Sequence, residues 1–335
     1  MIYHSNTFIG EEEKQEVQNL MSQGYITKGY QNEVLVDELK RVLDSKYVRL
    51  TSSGTMAFYL ILQVLGVERD EDVLLPDYIC NDLLGPIKII GANPVLYDNS
   101  YGSFLASDAE ILSKVTDKTK VIVINHTFGF VNKSISDLRE KLLPNIHIVE
   151  DCCHFFIPGQ CEQSIYTRKF STCCFYSFNA TKMLAAGEGG AISSENEEFM
   201  AKLQQFKIGD KVSDLNCAIA RVQLRRVDFF LTRRREIAEK YTEVFKGYMS
   251  RDFFENIGVY FRFPLTTDKA NEFWLNDKVA YRKGIDSLLS LHLNLQPLQN
   301  SKLAFLTTVS LPIYPGLSDE DVESIVTETK AVLQI

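Results

Sequence analysis

Long apolar runs are missing from this chain. A membrane helix needs about 18–20 consecutive apolar residues, and the longest stretches here, such as Val121-Ile-Val-Ile124, stop far short of that. Nothing in the sequence reads as a span. A basic excess is missing too. Lys+Arg 36 against Asp+Glu 44 leaves a net charge of −8, the wrong sign for a protein whose affinity would come from neutralising nucleic-acid phosphates. No Cys-x-x-Cys spacing occurs. The seven cysteines are an odd count, and two adjacent pairs, Cys152-Cys153 and Cys173-Cys174, sit inside apolar runs. They read as reduced, buried cytosolic thiols and not as a disulfide framework. A zinc site built from Cys152, Cys153, His154, Cys173 and Cys174 is disfavoured, because neighbours on a strand point to opposite faces; no metal is expected. The first ten residues run straight into Glu11-Glu12-Glu13-Lys14 with no basic flank and apolar core of a secretory signal. A cytoplasmic location is the expectation. Repeats, low-complexity tracts and long linkers are absent as well.

What remains is an ordinary globular composition: 45% hydrophobic, 24% charged, mean hydropathy −0.09. At roughly 100–200 residues per domain, 335 residues suggest two domains. Glu11 to about Gln23 carries Val17, Leu20 and Met21 at helical spacing and meets Gly24, a helix with a glycine stop. Val34 to Leu43 is a second amphipathic helix. Tyr47-Val-Arg-Leu then turns through Thr51-Ser-Ser-Gly-Thr55 into an apolar helix reaching Leu65. Short apolar runs follow at Asp72–Pro76, Pro94–Asp98, Val121–Ile124, Ile146–Val149 and Cys173–Tyr176, with helical or glycine-containing segments between them, including one around Asp82–Ile90. That alternation predicts an α/β fold with a mostly parallel sheet covered on both faces. Ala218–Phe230 and Arg234–Met249 read as long helices and Ser318–Leu333 as the last one. The boundary is placed near 228, giving a large domain 1–228 and a small C-terminal domain 229–335.

Open parallel sheets bind ligands beyond the carboxyl ends of their strands, so the residues just after the strands carry the functional reading. Thr51-Ser-Ser-Gly-Thr-Met-Ala57 enters a helix. Its amides and hydroxyls can cradle a phosphate, or simply cap the helix. Asp151 ends an apolar strand, where an ionised carboxylate wants a cationic partner such as a protonated heterocycle nitrogen; a plain turn cap is the alternative. Ser177 and Lys182 follow another apolar strand and precede Gly187-Glu-Gly-Gly190. A lysine held on a short loop between buried elements can lose proton affinity and form a Schiff base, although most lysines are surface charges.

Taken together, Gly54-Thr55-x-Ala57, Glu150-Asp-Cys-Cys-His154, Ser177-Phe-x-x-Thr-Lys182 and Gly187-Glu-Gly-Gly190 resemble the DegT/DnrJ/EryC1/StrS family of PLP-dependent nucleotide-sugar aminotransferases. The likeness extends through Phe8-Ile-Gly10, Leu75–Cys80, Gly91–Asp98, Asn125–Gly129, Gln223-Leu224, Arg233–Tyr241 and Ser310–Glu320. The resemblance implies an aspartate-aminotransferase-like (type I) fold, pyridoxal 5′-phosphate as cofactor, glutamate as amino donor, a nucleotide-linked keto-sugar as substrate, and a homodimer with shared sites. Surface-polysaccharide or secondary-metabolite biosynthesis is the implied context. Residue by residue it makes Lys182 the catalytic, Schiff-base lysine and Asp151 the partner of the pyridinium nitrogen. It makes Gly54, Thr55 and Ser177 the phosphate cup, and puts His154 near the cofactor hydroxyl. His126 lies in a family-like segment but also fits a structural role. Cys80 stands where an aromatic residue often stacks on the cofactor ring, leaving Tyr78 as the alternative. Gly209-Asp-Lys211 stands where many members have Gly-x-Asn-x-Arg, with Lys211 a substitute charge, and the stretch from Lys182 to Gln223 is short. These departures keep open a non-catalytic ligand-binding homologue. Dehydratases related to the family replace the lysine with histidine, so Lys182 argues against dehydration. Arg262, His292 and Lys302 have no assigned role.

Overall fold

Seven short apolar runs pair into one sheet: β1 (Tyr47–Thr51), β2 (Asp72–Pro76), β3 (Asn93–Tyr97), β4 (Thr119–Asn125), β5 (His147–Asp151), β6 (Cys173–Ser177) and β7 (Gly190–Ser194), in the order β1-β7-β6-β5-β4-β2-β3. The computed structural model describes residues 1–24, 26–159, 168–255 and 258–335. Strands β3, β2, β4, β5 and β6 run parallel, while β7 is antiparallel to both β6 and β1. The mostly parallel sheet expected from the alternation is thus present, with β7 added to it.

Burial follows the two-residue period of a strand. Val73, Val121, Val149 and Phe175 face the helix Gly54–Val64, which buries Ala57, Phe58, Leu60 and Ile61 against them. Leu74, Ile122 and Ile148 point the other way, towards Ile135 and Leu138 of the helix Ile135–Lys141. Near β1 and β6, the helix Tyr30–Leu43 supplies Leu35, Leu39 and Leu43 to that second face. With both faces covered, ligand access is left to the strand ends.

The helices after 213 break at a different place from the one expected. They run Asp214–Arg225 and Val227–Phe245, with Arg226 between them at φ −101° and ψ 5°. Neither glycine nor proline marks the break. Arg226 Nη1 donates to both carboxylate oxygens of Glu13 at 2.9 Å, and its guanidinium covers the Phe8 ring at 5.1 Å. Tertiary contacts with the N-terminal residues therefore accompany the kink. Farther on, β8 (Phe263–Thr266) and β9 (Thr308–Leu311) form an antiparallel pair. Phe263 and Val309 share a core with Ile237, Tyr241, Val322 and Ile325, the last two on the helix Asp319–Leu333, whose N-cap is Ser318. Val227 belongs to the large-lobe core and Ile237 to this smaller one. We propose that the division between lobes falls inside the helix Val227–Phe245, and Ile2, near the chain start, is bridged to Val279 beside this second core.

Candidate active site

The carboxyl ends of β2, β4, β5 and β6, the start of the helix Gly54–Val64 and a loop of the smaller lobe enclose a cavity of about 370 Å³. Gly54, Thr55, Tyr78, Asp151, His154, Ser177 and Lys182 all line it. Residues spread over about 130 positions of sequence are thus gathered at one end of the sheet.

Two glycines bring the helix start against the sheet. A Cβ at Gly54 would stand 3.0 Å from Ser177 Cβ, and one at Gly190 would meet Tyr176 O at 2.6 Å and Gly54 N at 2.8 Å. Only residues without side chains let the helix start lie this closely on β6 and β7. Ser53 caps the helix, its hydroxyl accepting from Met56 N at 3.1 Å while Ala57 N donates to Ser53 O. That leaves the Gly54 and Thr55 amides, orphaned as in any first helical turn, beside the Ser177 hydroxyl at the positive end of the helix dipole.

Asp151 closes β5 and is nearly buried. Its Oδ1 accepts from Cys153 N at 2.9 Å, the Cys153 thiol lies beside it, and among the described residues no cation lies within ion-pair distance of the carboxylate. Behind it, on the opposite strand face, Glu150 is fully buried. His126 Nδ1 accepts from Asn132 N at 3.1 Å, so its Nε2–H donates to Glu150 at 3.0 Å. Burial alone would push the Glu150 carboxyl up, but hydrogen bonds from His126, Ser171 and the Arg168 amide outweigh it and hold the group below the usual carboxylate range. Cys152 Sγ falls within 4.8 Å of this pair, whereas Cys153 Sγ faces Gly54. The strand thus divides the cysteines between its two faces.

Lys182 sits on a loop stapled by Ala180 N to Gly187 O (3.1 Å) and Lys182 N to Asn179 O (2.9 Å), with Gly187 and Gly189 at φ 82° and 131°. Its half-buried ammonium lies 5.4 Å from the Phe261 ring centre, and among the described residues no carboxylate pairs with it. His154 stacks on the same ring at 4.2 Å and 19°. Burial, then Lys182 and Arg262, push the His154 pKa well down, so a neutral imidazole faces the site at pH 7.

The two readings of the stacking position separate here. Tyr78 has no exposed area; its ring packs against Phe104 and Phe128, and its hydroxyl lies beside that of Thr308 without closing a hydrogen bond. Cys80 is exposed on the cavity wall. Lys211 is exposed next to Gly209, whose carbonyl accepts from Ser52 N at 2.8 Å beside the helix start. Sequence reasoning missed Arg282 and left Arg262 without a role; both line the cavity, and neither they nor Phe261, the ring beside His154 and Lys182, has a local motif to mark it.

Comparison with known proteins agrees with this architecture. An aminotransferase, TlmJ, from Streptoalloteichus hindustanus superposes with a TM-score of 0.88 at 22% identity, covering 100% of this chain and 99% of its own. PseC of Helicobacter pylori, an aminotransferase involved in pseudoaminic acid biosynthesis, gives 0.87 at 17% identity over 99% and 98%. NtdA of Bacillus subtilis, solved with bound cofactor PMP, gives 0.84 at 21% over 98% and 83%. The mixed α/β fold is that of these enzymes. The sequence pattern that defines a whole aminotransferase family also matches residues 7–330, and on that match the chain belongs to the DegT/DnrJ/EryC1/StrS aminotransferase family.

Proposed function

We propose that the protein is a pyridoxal-phosphate-dependent aminotransferase that moves an amino group from glutamate to a keto sugar carried on a nucleotide, acting in the cytoplasm as a homodimer with shared sites. The observation that carries this reading is the Lys182 ammonium, free of any carboxylate partner among the described residues, in one cavity with the Asp151 carboxylate, which no cation pairs among those residues. The donor set fits the cofactor: orphaned amides and a hydroxyl for its phosphate, an amine for its aldehyde, and a nearly buried carboxylate that lacks a cation for its ring nitrogen. The PMP bound in NtdA and the pseudoaminic acid role of PseC support the cofactor and the sugar.

When bound, pyridoxal phosphate supplies a protonated ring that takes up the electron pair left as the donor's α-carbon loses its proton. The chain's residues do the rest. Gly54, Thr55 and Ser177 hold the phosphate by hydrogen bonds at a helix start. Asp151 would keep the ring nitrogen protonated, because a nearly buried carboxylate that no cation pairs favours a neighbouring positive charge. Lys182 would hold the aldehyde, and its amine is the group placed to move a proton between the donor's α-carbon and the cofactor. His154, neutral and stacked, offers a hydrogen bond without adding charge. Cys80, in place of a stacking ring, favours the second reading, a non-catalytic homologue.

The test is the visible spectrum of the purified protein with added pyridoxal phosphate, before and after excess glutamate. A yellow band that bleaches supports the transamination reading, and a keto-sugar nucleotide should then restore it. A band indifferent to glutamate favours the non-catalytic reading or another donor. Lys182→Ala protein that still forms a borohydride-reducible adduct would sink the lysine's assignment, and a fully active monomer in sedimentation would contradict shared sites.

A further inference from the structure

Arg49 sits in the middle of β1, and among the described residues no carboxylate lies within ion-pair distance of it. Its guanidinium turns instead to three main-chain carbonyls: Nη1 donates to Leu203 O, and Nη2 to Phe206 O at 2.7 Å and Ile208 O at 3.2 Å. Leu203 lies in the last turn of the helix Glu197–Gln205, whose C-cap is Phe206 at φ −78° and not a glycine. Such an end leaves carbonyls without partners at the negative pole of the helix dipole. A planar cation with several donors answers both needs. Burial lowers the Arg49 pKa, with the Asp210 charge opposing it, as expected of a guanidinium drawn out of water onto these carbonyls. Beyond Phe206 the chain has little apolar anchorage, since Lys207, Ile208 and Lys211 are exposed and burial resumes only at Val212. Polar contacts set its place.

The segment held this way borders the helix start that lines the cavity. Gly209 O accepts from Ser52 N at 2.8 Å. Gly209 has φ 66°, and a Cβ there would stand 2.3 Å from Met56 Cγ. Ser52 precedes the cap residue Ser53 and Met56 follows Thr55, so the segment touches the chain on both sides of Gly54 and Thr55. On its outer side Asp210 pairs with Lys28 at 2.8 Å, a partly exposed ion pair of small worth. We propose that Arg49 is a positioning residue for the phosphate-holding amides: by fixing the carbonyls of 203–208 it seats Gly209 on Ser52 and Met56, and so sets the aim of the Gly54 and Thr55 amides. Arg49 is not among the residues lining the cavity, so it acts only through this segment. Donors held in place beforehand bind more tightly than donors that must be ordered on binding. This role rests on the reading of Gly54, Thr55 and Ser177 as the phosphate site.

The experiment is titration of the full-length protein with pyridoxal phosphate and with pyridoxal, which lacks the phosphate, followed by absorbance, and with inorganic phosphate, followed by calorimetry. Arg49→Gln should weaken pyridoxal phosphate and inorganic phosphate at least about fivefold, the scale of one hydrogen bond, with pyridoxal unchanged within about twofold. Arg49→Lys keeps the charge but not the planar fork and should recover part of the loss. Gly209→Ala disturbs the same contact from the other side without touching Arg49, and carries the test should Arg49→Gln fail to fold; it should show the same selective loss. Hydrogen exchange at the Ser52 amide of the protein without ligand should be faster in both variants. Phosphate affinities that neither variant changes, or pyridoxal lost in step with pyridoxal phosphate, overturn the positioning role. The visible band reports separately on the parent reading. Arg49-dependent binding of inorganic phosphate without a band retires the cofactor reading and keeps the positioning role; a glutamate-sensitive band whose pyridoxal phosphate affinity ignores Arg49→Gln does the reverse. A parent protein that binds neither phosphate nor pyridoxal phosphate overturns both.

Discussion

Gly284→Ala should damage the wall between the lobes by an amount that can be worked from the geometry. A Cβ at this position would lie 2.0 Å from Tyr78 Oη, 2.7 Å from Phe128 Cζ and 3.1 Å from Thr308 Cγ2. Tyr78 and Phe128 are fully buried and packed edge to face at 6.1 Å, with Phe104 against both, so neither ring has open space to enter. Overpacking of this kind costs about 1–3 kcal/mol. At roughly 2 °C per kcal/mol for a chain this long, the apparent melting midpoint should fall by about 2–6 °C. The hydroxyl of Tyr78 is the nearest obstacle, and it has no hydrogen-bond partner. Tyr78→Phe alone therefore removes a desolvated polar atom and should be neutral or slightly stabilising. In the Gly284→Ala background it also deletes the 2.0 Å contact while the one to Phe128 remains, so it should recover part of the loss. Urea unfolding followed by far-ultraviolet circular dichroism on the four proteins of the cycle gives the coupling, expected at about 0.5 kcal/mol or more. Effects that simply add would show that the glycine loop does not press on Tyr78 and would refute the reasoning.

Two further outcomes follow from buried polar groups. His4 is pushed well below its ordinary pKa by burial, then by Arg262, Arg282 and Arg234, and His154 by burial, then by Lys182 and Arg262. Below about pH 6.5 the unfolded chain then binds protons that the native chain refuses, so stability should fall with decreasing pH by up to about 1.4 kcal/mol per unit for each histidine, with no such slope above pH 7. His154→Gln should flatten the acid limb measured by urea unfolding at pH 5.5 and 7.5; an unchanged slope contradicts the neutral imidazole. Asp77, fully buried, accepts from Ser290 N at 2.7 Å, Ser290 Oγ at 2.9 Å and Leu298 N at 3.1 Å. Asp77→Ala strands these donors and should cost about 2–4 kcal/mol in the same assay, whereas a loss under 1 kcal/mol would mean that water replaces the carboxylate.

The parts legible in the sequence are those where chemistry and chain proximity coincide. Asp151 ends the apolar run of β5, and Ser177 and Lys182 lie within a few residues of β6, so strand periodicity and side-chain type pointed to the same short windows. Strand β7 was hidden by the opposite circumstance. Gly190-Ala-Ile-Ser-Ser194 reads as the tail of a glycine-rich turn, yet every residue is buried. Its serines are satisfied from outside the segment, Ser193 by the Tyr176 hydroxyl and Ser194 by Thr172 O, and local composition cannot register such partners. The helix break at Arg226 depends in the same way on Glu13, more than 200 positions earlier.

This division also runs through the site itself. Gly54, Thr55, Asp151, Ser177 and Lys182 are supplied by strand ends and the helix start beside them, whose directions follow from the alternation of strands and helices. Arg262 and Arg282 reach the cavity because β8 and β9 pair and because Arg262 is tied to the 283–284 backbone. Periodicity within 250–310 carries no trace of that docking, since an arginine beside a strand is ordinarily a solvated one. Cofactor chemistry depends on a few groups at fixed chain spacing and is readable from the linear sequence. Which charges the second lobe brings against the first depends instead on packing between elements far apart in the chain, and no recognisable motif records it.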